Sequence, residues 1–127
     1  MAFVLKQSAT YKWPVTLIIP ADGGRREKHT FDGEFRRIPQ ARINEIRRLQ
    51  FLEEQGRLDV SELLTPQEVA TEVLAGWSGV VDDEGEEIPF SETALNQLLD
   101  LPGIAAQIMT AWGQSIEAAK KPTSKGL

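Results

Sequence analysis

Residues 11–20 read Tyr11-Lys12-Trp13-Pro14-Val15-Thr16-Leu17-Ile18-Ile19-Pro20, and their alternation decides the fold class. Tyr11, Trp13, Val15, Leu17 and Ile19 take every second position, which in an extended chain puts them on one face. Pro14 has no N–H to give to a ladder, so it places this strand at a sheet edge or turns the missing donor outward. Ala21-Asp22-Gly23-Gly24 reads as a turn, because glycine takes positive φ without a Cβ clash. From Arg25 to Ile38 the alternation resumes through His29, Phe31, Gly33 and Phe35, with Phe31 and Phe35 sharing a face. Two alternating arms around a glycine turn predict a β-hairpin over about residues 11–38, which Phe3–Leu5 would extend as a third strand.

Beyond Pro39 the period changes. Ile43, Ile46, Leu49 and Leu52 form a stripe at helical spacing, with Arg42, Glu45, Arg48 and Glu53 on other faces and a stop near Gly56. Thr65-Pro66-Gln67-Glu68 is a helix start: Thr65 caps, Pro66 fits the first turn, and Glu68 completes a capping box. The helix it opens is expected to carry Val69, Val73 and Leu74 inward and to stop at Gly76. Trp77, Val80 and Val81 then precede the acidic turn Asp82-Asp83-Glu84-Gly85-Glu86-Glu87, after which Ile88 and Phe90 return toward the core. Ser91 caps a helix with Leu95, Leu98 and Leu99, Leu101-Pro102-Gly103 breaks it, and Ile104, Ile108, Met109, Trp112 and Ile116 mark a last helix. The expected architecture is α+β, an N-terminal antiparallel hairpin or small sheet followed by about four short helices. It forms one domain over residues 1–119, with the helical part over about 39–117 and a flexible tail over 120–127.

A chain of 127 residues suffices for one core. It has no cysteine, which removes disulfides and thiolate metal sites and suits a cytoplasmic protein. The first residues carry too short an apolar run for a signal peptide, and no stretch approaches the roughly 20 apolar residues that cross a bilayer. The net charge is −5. Arginines cluster in the first half, acids in the second. Without a platform of interleaved aromatic and basic residues, this balance points away from nucleic acid.

The candidate chemical sites fall to ordinary readings. His29, the only histidine, lies between Lys28 and Thr30, where no nucleophile or carboxylate in sequence marks a catalytic partner. Gly23-Gly24 before Arg25-Arg26 lacks the lysine and hydroxyl that a phosphate-binding loop requires on a helix start. Gly85 is fourth from Asp82, out of register for a calcium loop. No catalytic residue, cofactor site or metal site is therefore expected, and the chain reads as non-enzymatic. Its rich apolar supply in the last quarter serves the core and, on one surface, a partner helix.

In the order and spacing of three stretches, the sequence resembles the tail assembly chaperones of lambda-like long-tailed bacteriophages. The first runs from Lys12-Trp13-Pro14-Val15-Thr16 through Ala21-Asp22-Gly23-Gly24 to Phe31, Phe35 and Arg36. The second is Gly76-Trp77-Ser78-Gly79-Val80 with Asp83, Glu84, Gly85, Ile88, Pro89, Phe90 and Ser91. The third comprises the Leu95, Leu98, Leu99 helix and the helix from Gly103.

The resemblance implies a non-catalytic protein of the host cytoplasm, absent from the mature virion, that binds the apolar helical tape measure protein and keeps it soluble. It also implies tail tube protein as a second partner, reached through a frameshifted extension, and Ala119-Lys120-Lys121 is where an A-rich slippery run would be encoded. On this reading Trp77, Phe90 and Trp112 are the candidate client-binding residues. The free edge of the hairpin also invites self-association. The competing reading is a structural morphogenesis component, a head–tail connector or tail completion subunit.

Overall fold

The computed structural model of the chain describes residues 2–57 and 64–117. Strand β1 (Thr10–Ala21) and strand β2 (Arg25–Arg36) form the hairpin, with Ala21 opposite Arg25 and Tyr11 opposite Phe35. A short 3₁₀ turn, Asp22–Gly24, joins them, and both of its glycines have positive φ. The single-face alternation is borne out: Val15, Leu17, Phe31 and Phe35 are buried, while Tyr11, Trp13 and Ile19 pack against the core half-buried.

The third strand is not Phe3–Leu5, which is exposed and outside the sheet. It is β3 (Leu74–Ser78), antiparallel to β2, with Leu74 opposite Phe35 and Ser78 opposite Asp32. The sheet order is β1-β2-β3. Helical spacing continues from Val69 through Val73 to Leu74, yet Leu74 is extended at φ −94 and ψ 116. A terminal helical turn and a sheet ladder compete for this residue, and the ladder wins because Arg36 satisfies the helix end. The Arg36 guanidinium donates to the carbonyl oxygens of Thr71, Glu72 and Leu74 at 3.3, 2.8 and 3.2 Å. A cation on the last carbonyls also opposes the negative end of the helix dipole.

Four helices complete the fold: α1 (Gln40–Glu54), α2 (Pro66–Val73), α3 (Glu92–Leu99) and α4 (Ile104–Glu117). Their signals acted as read. The Glu68 backbone N–H donates to the Thr65 hydroxyl at 3.1 Å, and the Thr65 N–H donates to the Glu68 carboxylate at 2.9 Å. Ser91 caps α3 by accepting the Ala94 N–H. Gly56, at φ 68, closes α1 while the Arg57 N–H reaches back to the Leu52 carbonyl, the six-to-one bond of a Schellman end.

Helices and sheet make two layers around one core. Ile43 and Ile46 of α1, Val69, Ala70 and Val73 of α2, Leu95 and Leu99 of α3, and Ile104, Ile108 and Trp112 of α4 meet the sheet residues there. Each large side chain taken fully out of water contributes about 1.5–3 kcal/mol. Polar ties add to this packing. The Tyr11 hydroxyl lies 2.6 Å from that of Ser115, which donates to the Trp112 carbonyl at 2.6 Å, so Tyr11 is the donor to Ser115. Arg42 of α1 grips both carboxylate oxygens of Glu72 on α2, at 2.8 and 2.7 Å. The segments read as slippery run and tail, residues 119–121 and 120–127, lie outside the described residues.

Candidate partner-binding surface

The segment from Trp77 to Ser91 leaves β3 and folds back as a small hairpin of its own. Val81 bridges Glu87, the Ile88 N–H donates to the Val80 carbonyl at 2.7 Å, and Asp82 exchanges a bond with Glu86. At its tip one oxygen of Asp82 accepts the N–H groups of Glu84 and Glu86, both at 2.9 Å. The acidic run is thus an ordered loop with its carboxylates in solvent.

Behind that loop the aromatic side chains form a short stack. Trp77 meets Phe90 edge-on at 4.9 Å between centroids and Phe31 at 6.2 Å, and its indole N–H donates to the Ile88 carbonyl at 2.8 Å. Between the loop and α3 runs a trough of about 320 Å³, lined by Trp77, Val80, Val81, Ile88, Ala94, Gln97, Leu98 and Leu101. It continues into a second depression of about 260 Å³ that shares Val80, Val81 and Leu98 and ends at Leu17, His29 and Phe31. Val81 and Leu101, at 52% and 51% exposure, hold their apolar surface in water beside it. Singly exposed residues are ordinary; here two of them flank one apolar depression.

The three residues predicted to bind a partner are divided by the structure. Trp77 and Phe90 come together at the trough, Trp77 in its wall and Phe90 stacked behind. Trp112 is 4% exposed and belongs to the core of α4; helical spacing alone does not distinguish a core tryptophan from a surface one. Reading the sequence missed Val81 and Leu101 as surface residues. The signal available was their position, one at the edge of a charged run and the other just before Pro102-Gly103, where the chain turns before its apolar side chains are covered.

A larger depression, of about 490 Å³, lies at the other end of β1, among Tyr11, Trp13, Lys12, Arg37, Arg47 and Ser115. Most of its polar groups are already engaged. Arg37 lies over the Tyr11 ring at 5.0 Å, Arg47 pairs with Glu117 at 2.8 Å, and the Tyr11 hydroxyl meets Ser115. Size alone therefore does not make it the better candidate. His29 is exposed and its Nε2 lies 3.3 Å from a Glu27 carboxylate oxygen. Among the described residues no three of His, Asp and Glu converge as a metal site would require, and no helix is long and apolar enough to cross a membrane.

A family model described as YdaY prophage protein matches residues 31–124, from the second hairpin arm to beyond α4. No curated protein and no solved structure matches. The matched description carries a phage origin and names neither a tail component nor a client. With the match spanning most of its length, the chain belongs to the YdaY prophage protein family, a family of phage-derived proteins.

Proposed function

We propose that this prophage protein is a non-catalytic tail assembly chaperone. In the host cytoplasm it takes apolar helical segments of the tape measure protein into the trough beside Trp77, and it releases them as tail tube protein assembles around the client. It does not remain in the mature virion. The observation that supports this reading is the open apolar trough between the loop Val80–Ile88 and α3, with Val81 and Leu101 left half in water on a folded, acidic domain. Covering such a surface with a client's apolar face removes both from water at about 25 cal/mol per Å². The remaining charge, net −5, keeps the complex dispersed.

Co-expression with the tape measure protein of the same prophage tests the reading. The client is expected in the soluble fraction with the wild-type chain, and several-fold less of it with Val81→Ser/Leu101→Ser, a variant whose exposed positions leave the core intact. An equally insoluble client with and without the chain would sink the proposal. So would an abundant 14.1 kDa band in purified virions, the result expected of a connector or completion subunit.

A further inference from the structure

We infer that the trough selects amphipathic helices whose polar flanks carry lysine or arginine; the inference rests on the proposed reading of the trough as the client site. Two observations carry it. The first concerns the backbone. The loop beside the trough pairs much of its own backbone, Ile88 on Val80, Asp82 on Glu86 and Gly85 on Asp82, which leaves one bridged pair, Val81 and Glu87, with its backbone groups turned outward, while the opposite wall is the helix α3. A ligand seated there finds no strand along the loop or α3, only that single bridged pair, so it must satisfy most of its own N–H and C=O groups. A helix does this within itself, and it fills a groove with side chains three and four residues apart.

The second observation concerns charge. The lip of the trough that begins at Val81 and ends at Ile88 carries Asp82, Asp83, Glu84, Glu86 and Glu87, all exposed. None of these carboxylates forms an ion pair among the described residues. The facing walls supply Gln97 and His29. A helix lying in the trough therefore brings one polar flank against five carboxylates without a neutralising partner. Basic flanks meet complementary charge there, whereas acidic flanks are repelled, which is the arrangement by which interfaces reject wrong partners.

Two synthetic helices of 18 residues, sharing one leucine stripe and flanked by lysine in one and glutamate in the other, test this by fluorescence anisotropy on the full chain. The lysine peptide is expected to bind about tenfold or more tighter at low ionic strength, with the gap closing toward about 0.5 M salt as screening sets in. In the variant Asp83→Asn/Glu84→Gln/Glu86→Gln/Glu87→Gln, which spares the Asp82 contacts that shape the loop, the preference is expected to fall below about twofold. Equal binding of the two peptides to wild type overturns the charge inference and leaves the client site standing. Binding of neither peptide overturns the client site and the inference with it. Undiminished binding of the lysine peptide to Leu101→Ser would mean surface charge alone attracts it, which also overturns the inference.

Discussion

The two edges of the sheet end in opposite ways. Along β1 the outer edge is capped at Ile18: its N–H donates to the Gln107 side-chain oxygen at 2.7 Å, and the Gln107 amide donates back to the Ile18 carbonyl at 3.1 Å. One side chain of α4 thus supplies the donor and acceptor that a neighbouring strand would. Pro14, four residues from Ile18 and facing the same edge, has no N–H to leave open. Beyond β3 the chain instead opens into the loop and trough, where Val81 and Leu101 remain half in water. The first edge is interrupted in its middle against pairing with another sheet, while the second region keeps apolar surface that folding has not used. The free hairpin edge expected from the sequence is thus interrupted at Pro14 and Ile18.

The largest effect should separate buried from open aromatic and aliphatic surface. Phe35 is fully buried between Tyr11 and the helices, and Phe35→Ala is expected to destabilise by about 3–5 kcal/mol. Leu101→Ala should change stability by no more than about 0.5 kcal/mol. Urea denaturation of both variants checks this. Comparable losses would mean that the trough is part of the core after all and that the contrast between the two regions is false.

A smaller effect sharpens the contrast at β1. Gln107→Ala should cost about 0.5–1.5 kcal/mol, because two hydrogen bonds to a solvent-accessible strand are exchanged for water, and it should raise self-association by reopening the edge. Gln107→Glu keeps an acceptor for the Ile18 N–H but has no donor for the Ile18 carbonyl, so its loss should be of similar size. Sedimentation velocity and chemical denaturation report the two quantities separately. A Gln107→Ala protein as stable and as monomeric as wild type would show that the amide is incidental to the capped edge.

What the sequence made legible follows from how local each signal is. Alternation in Tyr11–Ile19, the glycine turn and the caps at Thr65 and Ser91 are settled within a few residues, and they held. Leu74 was misplaced because its fate depends on Arg36 and Phe35, nearly 40 positions away, and helical periodicity carries no trace of either. The same limit applies to the site. Trp77 and Phe90 were legible as neighbours of the acidic turn, but Trp112 has the same chemistry and the opposite burial. Only the packing of α4 against α2 and β1 distinguishes it. The trough itself is a gap between a loop and a helix, and no single segment encodes a gap.

The smallest effect concerns the join between α1 and α2, which lies on neither edge and should leave both unchanged. Arg42 hydrogen-bonds both oxygens of Glu72 and also reaches Glu45 at 2.7 Å. The hydrogen bonds from Arg42 hold the Glu72 carboxyl below its ordinary value near 4.5, against the opposing influence of partial burial, and the two carboxylates hold Arg42 above the usual guanidinium range. Because the folded-state value of Glu72 is depressed, the unfolded chain takes up its proton first as pH falls. The stabilisation is therefore complete above about 4.5, where the unfolded chain is also ionised, and is lost as pH drops through the lower folded value. Both side chains are nearly a third exposed, 32% and 30%, so solvent screening limits the contribution to about 1 kcal/mol. Glu72→Gln should cost that amount at pH 7 and progressively less below pH 4, as wild type loses the same interaction. A difference between the two proteins that stays constant from pH 7 to pH 3 would show that Glu72 contributes through packing rather than charge. Trough binding should be the same in both proteins throughout the neutral range, since the pair stands on α1 and α2 while the trough is built from the loop and α3.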